Sequence, residues 1–105
     1  MRCRRCSPVP EEVRRAAGLL ERRWTLTILY ASSEGAVRFN EFKHALAGIP
    51  PRTLAARLAE LEEAGILERR VLPDARPPRV EYRLTQRGEE LRAVLSALRR
   101  FAGAF

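Results

Sequence analysis

The sequence predicts a mainly α-helical fold with one small β-hairpin, and three observations lead to this prediction. Apolar residues recur every three or four positions through residues 13–61, which is the period of an amphipathic helix. A strictly alternating run at residues 79–84 is typical of a strand, and a run of branched residues precedes it. Helical periodicity then returns towards the C-terminus. The 105 residues suffice for one modest core, so we expect residues 1–105 to form a single domain.

The charge of the chain favours a polyanionic partner. The 20 Lys and Arg residues exceed the 13 Asp and Glu residues, which gives a formal net charge of +7. Such an excess favours nucleic acid, with a membrane surface as the competing polyanion. The longest apolar runs are only a few residues, too short for a signal peptide or a membrane span. We therefore expect a cytoplasmic protein that does not act at a membrane.

The N-terminal part predicts a basic, flexible segment and then two helices. Residues 1–9 form the flexible segment. A first amphipathic helix follows, because Val13, Ala17, Leu20 and Trp24 recur at helical spacing. Residues 24–31 are apolar almost all round the helix, which is expected of a central helix packed on several sides.

Residues 40–64 predict two further helices joined by a tight turn. Asn40 is a suitable N-cap for the short helix, and Gly48 ends it. Pro51 fits the first position of the longer helix, where its missing N–H is harmless. Gly65 provides a C-terminal stop. The buried stripe of the longer helix is expected to be Leu54, Leu58 and Leu61.

Residues 66–84 predict a hairpin, and residues 86–102 predict the last helix. The hairpin tip, residues 73–78, contains three prolines, which cannot donate ladder hydrogen bonds. Thr85 is a suitable N-cap for the last helix. The apolar face of that helix is larger than a terminal helix needs on so small a core, and pairing across a two-fold axis would bury the excess. This face consists of Leu91, Leu95, Leu98, Phe101 and Phe105.

A helix, a tight turn, a second helix and a basic hairpin in this order predict a winged helix-turn-helix domain. The N-terminus of a helix has unpaired N–H groups and the positive end of the helix dipole, so it can approach a phosphate while its first side chains enter the major groove. Arg52 and Thr53 are the best candidates for base reading. Arg76 and Arg79 at the hairpin tip would reach the DNA backbone or the adjacent minor groove. The other candidate DNA contacts are Ala56, Arg57, Asn40 and Lys43.

Several motifs, taken together in this order, resemble the HxlR-type winged helix-turn-helix regulators, which are relatives of the MarR group. The motifs are WTLTIL at 24–29, RFNEF at 38–42, GIPPRTL at 48–54, RLAELEEAG at 57–65 and PPRVEYRLT at 77–85 with Gly88 after it. The resemblance covers residues 13–102. The chain departs from the family where Glu21-Arg22-Arg23 replaces the usual glycine pair and lysine, and where Pro50 replaces the usual serine cap.

The resemblance implies a prokaryotic transcriptional regulator that binds double-stranded operator DNA as a homodimer. It implies that the helix from Pro51 is the recognition helix and that residues 73–79 are the wing. It also implies that the first and last helices form the dimer interface, with Val13 joining the apolar face of the last helix. We expect repression by occlusion of a promoter, at half-sites about one helical turn apart.

Cys3 and Cys6 form a lone C-x-x-C pair flanked by arginines, which favour the thiolate. The resemblance implies that some family members sense oxidants or electrophiles through an N-terminal cysteine. Two interpretations stay open, a redox role for Cys6 with Cys3 and an incidental pair in a flexible terminus. A metal site has less support, because zinc needs four ligands and His44 is the single histidine.

The sequence does not favour an enzyme, and it implies no cofactor. With one histidine and no Gly-rich phosphate loop, the usual acid-base and nucleophile arrangements cannot be assembled. The alternative function is a winged-helix module that binds protein without DNA contact. RNA binding is less favoured, because the aromatic residues fall on the buried phases of their elements.

Overall fold

The computed structural model describes residues 7–104, and it confirms the mainly helical fold with one hairpin. Cys3, Cys6 and Phe105 lie outside the described residues. The elements in chain order are α1 (Glu11–Leu20), α2 (Thr25–Ser33), α3 (Phe39–Ala45), α4 (Pro51–Glu63), β1 (Leu67–Leu72), β2 (Arg79–Leu84), α5 (Gln86–Glu89) and α6 (Arg92–Ala102).

The core forms around α2, as its apolar circumference predicts. Ile28 and Leu29 of α2 are fully buried, and Phe42 of α3 is buried beside them. The predicted stripe of α4 is confirmed, because Leu54, Leu58 and Leu61 are all 0% exposed. Burying one such side chain stabilises the fold by about 1.5–3 kcal/mol. The stripe therefore decides which face of α4 points inward.

The first helix is shorter than predicted, because Trp24 is not part of it. α1 ends at Leu20, and Trp24 precedes α2 with a φ of 79°, in the left-handed region. The Arg23 guanidinium lies 5.2 Å from the centroid of the Trp24 ring. Residues 21–24 therefore form a turn. Trp24 keeps the helical spacing from Leu20 although it lies outside α1, so the spacing alone did not reveal the end of the helix.

The N-cap of α3 also differs from the prediction. α3 begins at Phe39, so Asn40 is its second residue rather than its N-cap. Glu41 satisfies this end of the helix instead, because its Oε1 accepts hydrogen bonds from the backbone N–H groups of Val37 and Arg38, both at 2.8 Å. A carboxylate in the first turn satisfies free donors and also interacts favourably with the helix dipole.

The wing is the predicted hairpin. Its antiparallel register runs from Leu67 opposite Leu84 to Leu72 opposite Arg79. At the outer edge of β2 the N–H of Tyr82 donates to the carbonyl of Val37 at 2.7 Å, which anchors the wing beside the start of α3. The wing is therefore held at a defined place relative to the helix-turn-helix.

The segment predicted as one last helix, residues 86–102, is two helices. Thr85 is the N-cap as predicted, since its Oγ1 accepts from the N–H of Gly88 at 3.0 Å. The N–H groups of Glu90 and Leu91 then bond to carbonyls three residues earlier, which makes a tight turn between α5 and α6. Gly88 is required here, because a Cβ would lie 2.3 Å from the carbonyl oxygen of Ile66.

The position of Glu41 predicts an acid-sensitive contribution to stability. The N–H groups of Val37 and Arg38 lower the pKa of the Glu41 carboxyl from its ordinary value. A group whose pKa is lower in the folded state stabilises the fold above its unfolded pKa, and this is lost as the pH falls through the folded pKa. Glu41→Gln should therefore reduce the free energy of unfolding at pH 7 by less than about 1 kcal/mol, because the site is exposed.

Denaturant unfolding at neutral and acid pH measures this effect. The difference between wild type and Glu41→Gln should narrow as the pH falls below about 4. Glu62→Gln is a suitable control, because the Glu62 side chain is exposed and has no partner within residues 7–104. An equal pH dependence in both variants would contradict the role given to Glu41.

Candidate nucleic-acid interface

The N-terminus of α4 is an exposed helix end with free donors. Its N-cap, Pro50, has no side-chain hydrogen bond to the helix, and Pro51 occupies the first helical position as predicted. Within residues 7–104 the N–H groups of Arg52 and Thr53 have no acceptor. Free N–H groups at the positive end of a helix dipole favour an anion such as a phosphate.

The first turns of α4 add side chains to this helix end. Arg52 and Ala56 are exposed, and Thr53 is half-buried. No other described residue pairs with the Arg52 guanidinium. This side chain therefore keeps all its donors for a ligand.

Arg57 has a different environment from Arg52, although both were predicted to contact DNA. The Arg57 side chain is 14% exposed. Its Nε donates to the carbonyl of Arg23 at 2.9 Å, and its Nη1 lies 3.2 Å from Glu60 Oε2. These contacts hold its guanidinium against the protein's own α1–α2 turn, so Arg57 is less available to a ligand than Arg52, and its contact with DNA stays a prediction.

Asn40 and Lys43 lie on the exposed side of α3, opposite the buried Phe42. The Lys43 ammonium makes no ion pair with any residue between 7 and 104. α3 packs directly on α4 in the helix-turn-helix. Both side chains are thus accessible to a ligand bound beside α4.

The wing carries two arginines predicted to contact DNA, and only one of them has an acidic partner in the described residues. Arg76 at the tip is exposed and has no acidic partner in the described part of the chain. Arg79 lies 3.7 Å from Glu81, whose carboxylate also pairs with Arg83 at 2.9 Å. Glu81 is 6% exposed although it lies on the polar phase of β2, and the sequence did not indicate this. Arg76 is therefore the freer cation of the two.

The exposed apolar residues are concentrated on α1 and α6. No residue of α1 is buried, and the described residues measure 63 × 30 × 24 Å, so the shape is elongated. Leu95 was predicted for the dimer interface, but it is 2% exposed and belongs to the core of the protomer. Leu91 is half-buried against the same core. The large exposed apolar residues of α1 and α6 are Val13, Val94, Leu98 and Phe101.

The aromatic residues pack as predicted. Phe42 is fully buried, and Trp24, Phe39 and Tyr82 pack partly buried against the core.

Among residues 7–104 no helix is long and apolar enough to cross a bilayer, and no group of three or more His, Cys, Asp or Glu side chains could hold a metal ion.

The fold defines a winged helix-turn-helix protein in which the N-terminus of α4 is exposed. The profile of the HxlR-like helix-turn-helix family matches residues 19–105. The chain therefore belongs to the HxlR-like family, as the sequence motifs predicted.

Two relatives and two solved structures illustrate the similarity. YvaP of Bacillus subtilis, an HTH-type transcriptional regulator, is 36% identical over 88 residues, which span 84% of this chain and 81% of YvaP. The HTH-type transcriptional regulator YodB of the same organism is 39% identical over 90 residues, which span 86% of this chain and 80% of YodB.

Among solved structures, reduced YodB aligns with a TM-score of 0.79 at 36% identity, covering 93% of this chain and 95% of that chain. The reduced form of the redox regulator HypR aligns with a TM-score of 0.80 at 31% identity, covering 90% and 92% of the two chains. The winged-helix fold is therefore confirmed from both sequence and structure.

Proposed function

We propose that this chain is a sequence-specific repressor that binds operator DNA as a homodimer. The observation that carries the proposal is the start of α4, where free N–H groups and the unpaired guanidinium of Arg52 face outward on the scaffold of a family of transcriptional regulators. A helix end of this kind suits a phosphate, and an arginine beside it suits guanine in the major groove.

The recognition helix binds through its N-terminal half. Arg52 and Thr53 reach base edges, and the small side chain of Ala56 permits close approach to a thymine methyl group. The C-terminal half of α4 carries Glu60, Glu62 and Glu63, which repel phosphate. Because of this charge distribution, the N-terminal half of α4 meets the DNA and the C-terminal half does not.

The other candidates position the DNA rather than read it. Arg76 contacts the backbone or the minor groove beside the half-site, and Arg79, paired with Glu81, adds positive charge next to the wing tip. Asn40 and Lys43 on α3 are accessible to the phosphates that flank the groove. Such contacts determine the register of the protein on the duplex and the salt dependence of binding, whereas α4 determines which DNA sequence is preferred.

A second copy of the chain covers the apolar faces of α1 and α6. Val13 and Leu98 are 50% and 37% exposed, and Phe101 is 63% exposed. Such a concentration on two peripheral helices is typical of an association surface, whereas isolated apolar residues are ordinary. A two-fold dimer would present two copies of α4 to successive half-sites. Phe105, outside the described residues, stays a predicted member of this surface.

Redox or electrophile control through Cys6, with Cys3 as a second thiol, is the proposed form of regulation. YodB has been solved in a reduced, a diamide-treated and a quinone-bound form, and HypR in a reduced and an oxidised form. Here both thiols precede α1, which belongs to the proposed dimer interface. A change in their oxidation state would therefore act at the interface that sets the spacing of the two recognition helices.

Two arginine variants distinguish base reading from backbone contact. Arg52→Ala should reduce the preference for operator over random duplex by about tenfold, because base contacts supply discrimination. Arg76→Ala should weaken binding to both duplexes and lower the slope of log K against log salt by about one. Fluorescence anisotropy on operator, random duplex and single-stranded probes measures both effects.

Arg87→Ala on α5 provides a charge-matched control, because it removes an exposed arginine from an element outside the proposed DNA and dimer interfaces. Equal effects of Arg52→Ala and Arg76→Ala on discrimination would defeat the division of roles. Absence of salt-dependent duplex affinity in the wild type would favour the alternative, a module that binds protein.

Leu98→Glu should convert the dimer to a monomer, because it places a carboxylate in the apolar face of α6. Sedimentation equilibrium measures the molecular mass. Val71→Glu makes the same change at a residue of the wing that is 55% exposed, and it should leave the dimer intact. A Leu98→Glu protein with the mass of the wild type would exclude this face from the interface.

Cys6→Ser should abolish the response of DNA affinity to hydrogen peroxide, if the thiol is the sensor. The wild type should lose or gain operator affinity along a titration with peroxide, while the variant keeps one affinity throughout. Superimposable titrations of the two proteins would leave Cys6 without a regulatory role.

A further inference from the structure

A short network of polar contacts joins the α1–α2 turn to the recognition helix. Arg57 of α4 donates from Nε to the carbonyl of Arg23 at 2.9 Å and from Nη1 to Glu60 Oε2 at 3.2 Å. The other carboxylate oxygen of Glu60 lies 3.3 Å from Nε of Arg22. We call Arg22, Arg23, Arg57 and Glu60 the turn clamp.

The two arginine side chains that contact Glu60 in the turn clamp differ in solvent exposure. The Arg57 side chain is 14% exposed, whereas that of Arg22 is 52% exposed. Arg57 makes charge-assisted hydrogen bonds, which are the stronger kind. Arg22 is within ion-pair distance of Glu60 Oε1, but that oxygen accepts no hydrogen bond from a described residue. Arg57 is therefore the fixed member of the clamp and Arg22 the loosely held one.

We infer that the turn clamp sets the orientation of α4 relative to α1, and that Arg57 and Glu60 are positioning residues for DNA binding. This inference rests on the proposed function. The leucine stripe holds α4 by apolar contact, which is non-directional, whereas hydrogen bonds to a fixed carbonyl are directional. Arg57 follows Arg52 by about 7.5 Å along the same helix, so a rotation of α4 at Arg57 also moves Arg52.

The turn side of the clamp is itself held by local contacts. The N–H of Thr25 donates to the carbonyl of Arg22 at 3.0 Å, and the Arg23 guanidinium lies over the Trp24 ring. α1, which leads into this turn, has no fully buried residue in the protomer, and its Leu19 and Leu20 pack partly buried against the core. A partner subunit that moves α1 therefore displaces the Arg23 carbonyl, and the clamp passes this displacement to α4.

The effect of Glu60→Gln on DNA affinity has opposite signs under two explanations, a positioning role of Glu60 and an effect of its charge alone. Loss of a negative charge from α4 should tighten DNA binding if charge alone matters. If the clamp positions α4, the same variant should weaken operator binding by roughly threefold or more, because residues in contact are coupled. Glu62→Gln removes an equal charge from the same helix without touching the clamp, so it should bind DNA as tightly as the wild type or more tightly.

Arg57 variants test the same inference through the salt dependence. Arg57→Ala should weaken operator binding while leaving the slope of log K against log salt unchanged, whereas loss of a phosphate contact would lower that slope by about one. Arg57→Lys keeps the charge but not the fork of donors, so it should resemble Arg57→Ala. Full retention of affinity by Arg57→Lys, together with a lower slope in Arg57→Ala, would overturn the inference.

Trp24 provides a readout that does not depend on DNA, because it is the single tryptophan of the chain. Arg57→Ala and Glu60→Gln should each shift the fluorescence emission of Trp24 at a temperature where circular dichroism shows both variants folded, and Glu62→Gln should not. If the wild type lacks duplex affinity, the proposed function fails while this signal still reports the clamp. Unchanged emission in both variants would refute the clamp even if DNA binding is established.

Discussion

The burial of the α4 leucine stripe in the common core is the interaction on which the rest of the structure depends. Leu54, Leu58 and Leu61 are fully buried, and each contributes about 1.5–3 kcal/mol on burial. A surface ion pair contributes only about 0–1 kcal/mol. Apolar burial therefore decides which side of α4 faces the core, and the opposite side with Arg52 is exposed as a consequence. Polar contacts such as those of Arg57 adjust this arrangement and cannot replace it.

The positive charge divides into a structural and an available part. Arg57, Arg79 and Arg83 lie against carboxylates of their own protomer, so they stabilise the turn and the wing. Arg52 and Arg76 have no such partner within residues 7–104. Net charge alone suggests a partner for the whole chain, whereas pairing shows which cations are available to it. Two of the available cations thus lie at the start of α4 and at the wing tip.

Local chemistry in the sequence was enough to predict the elements that lie close together along the chain. Pro51 at a helix start and a proline-rich hairpin tip each depend on their own residue type, so both were predicted. The same periodicity could not show that Trp24 lies beyond α1, because the turn preserves the apolar phase. The hydrogen bond of Arg57 could not be predicted for a related reason, since its acceptor lies 34 residues away and nothing local identifies it. Leu95 lies on the same predicted apolar face as the other dimer candidates, but its side chain is buried in the core of its own protomer.

The two peripheral helices are attached to the body in different ways. α6 is fixed to α2 by the buried Leu95 and by hydrogen bonds from Arg92 to the Ser33 carbonyl and from Arg99 to the Tyr30 hydroxyl. α1 has no fully buried residue, so its position depends on the partly buried Leu19 and Leu20 at its end, on the α1–α2 turn and on the partner that covers its apolar face. A helix held in this way responds to a partner more readily than one with a buried anchor. In the proposed dimer, a change at the N-terminus would thus reach α4 through the turn clamp without rearrangement of the core.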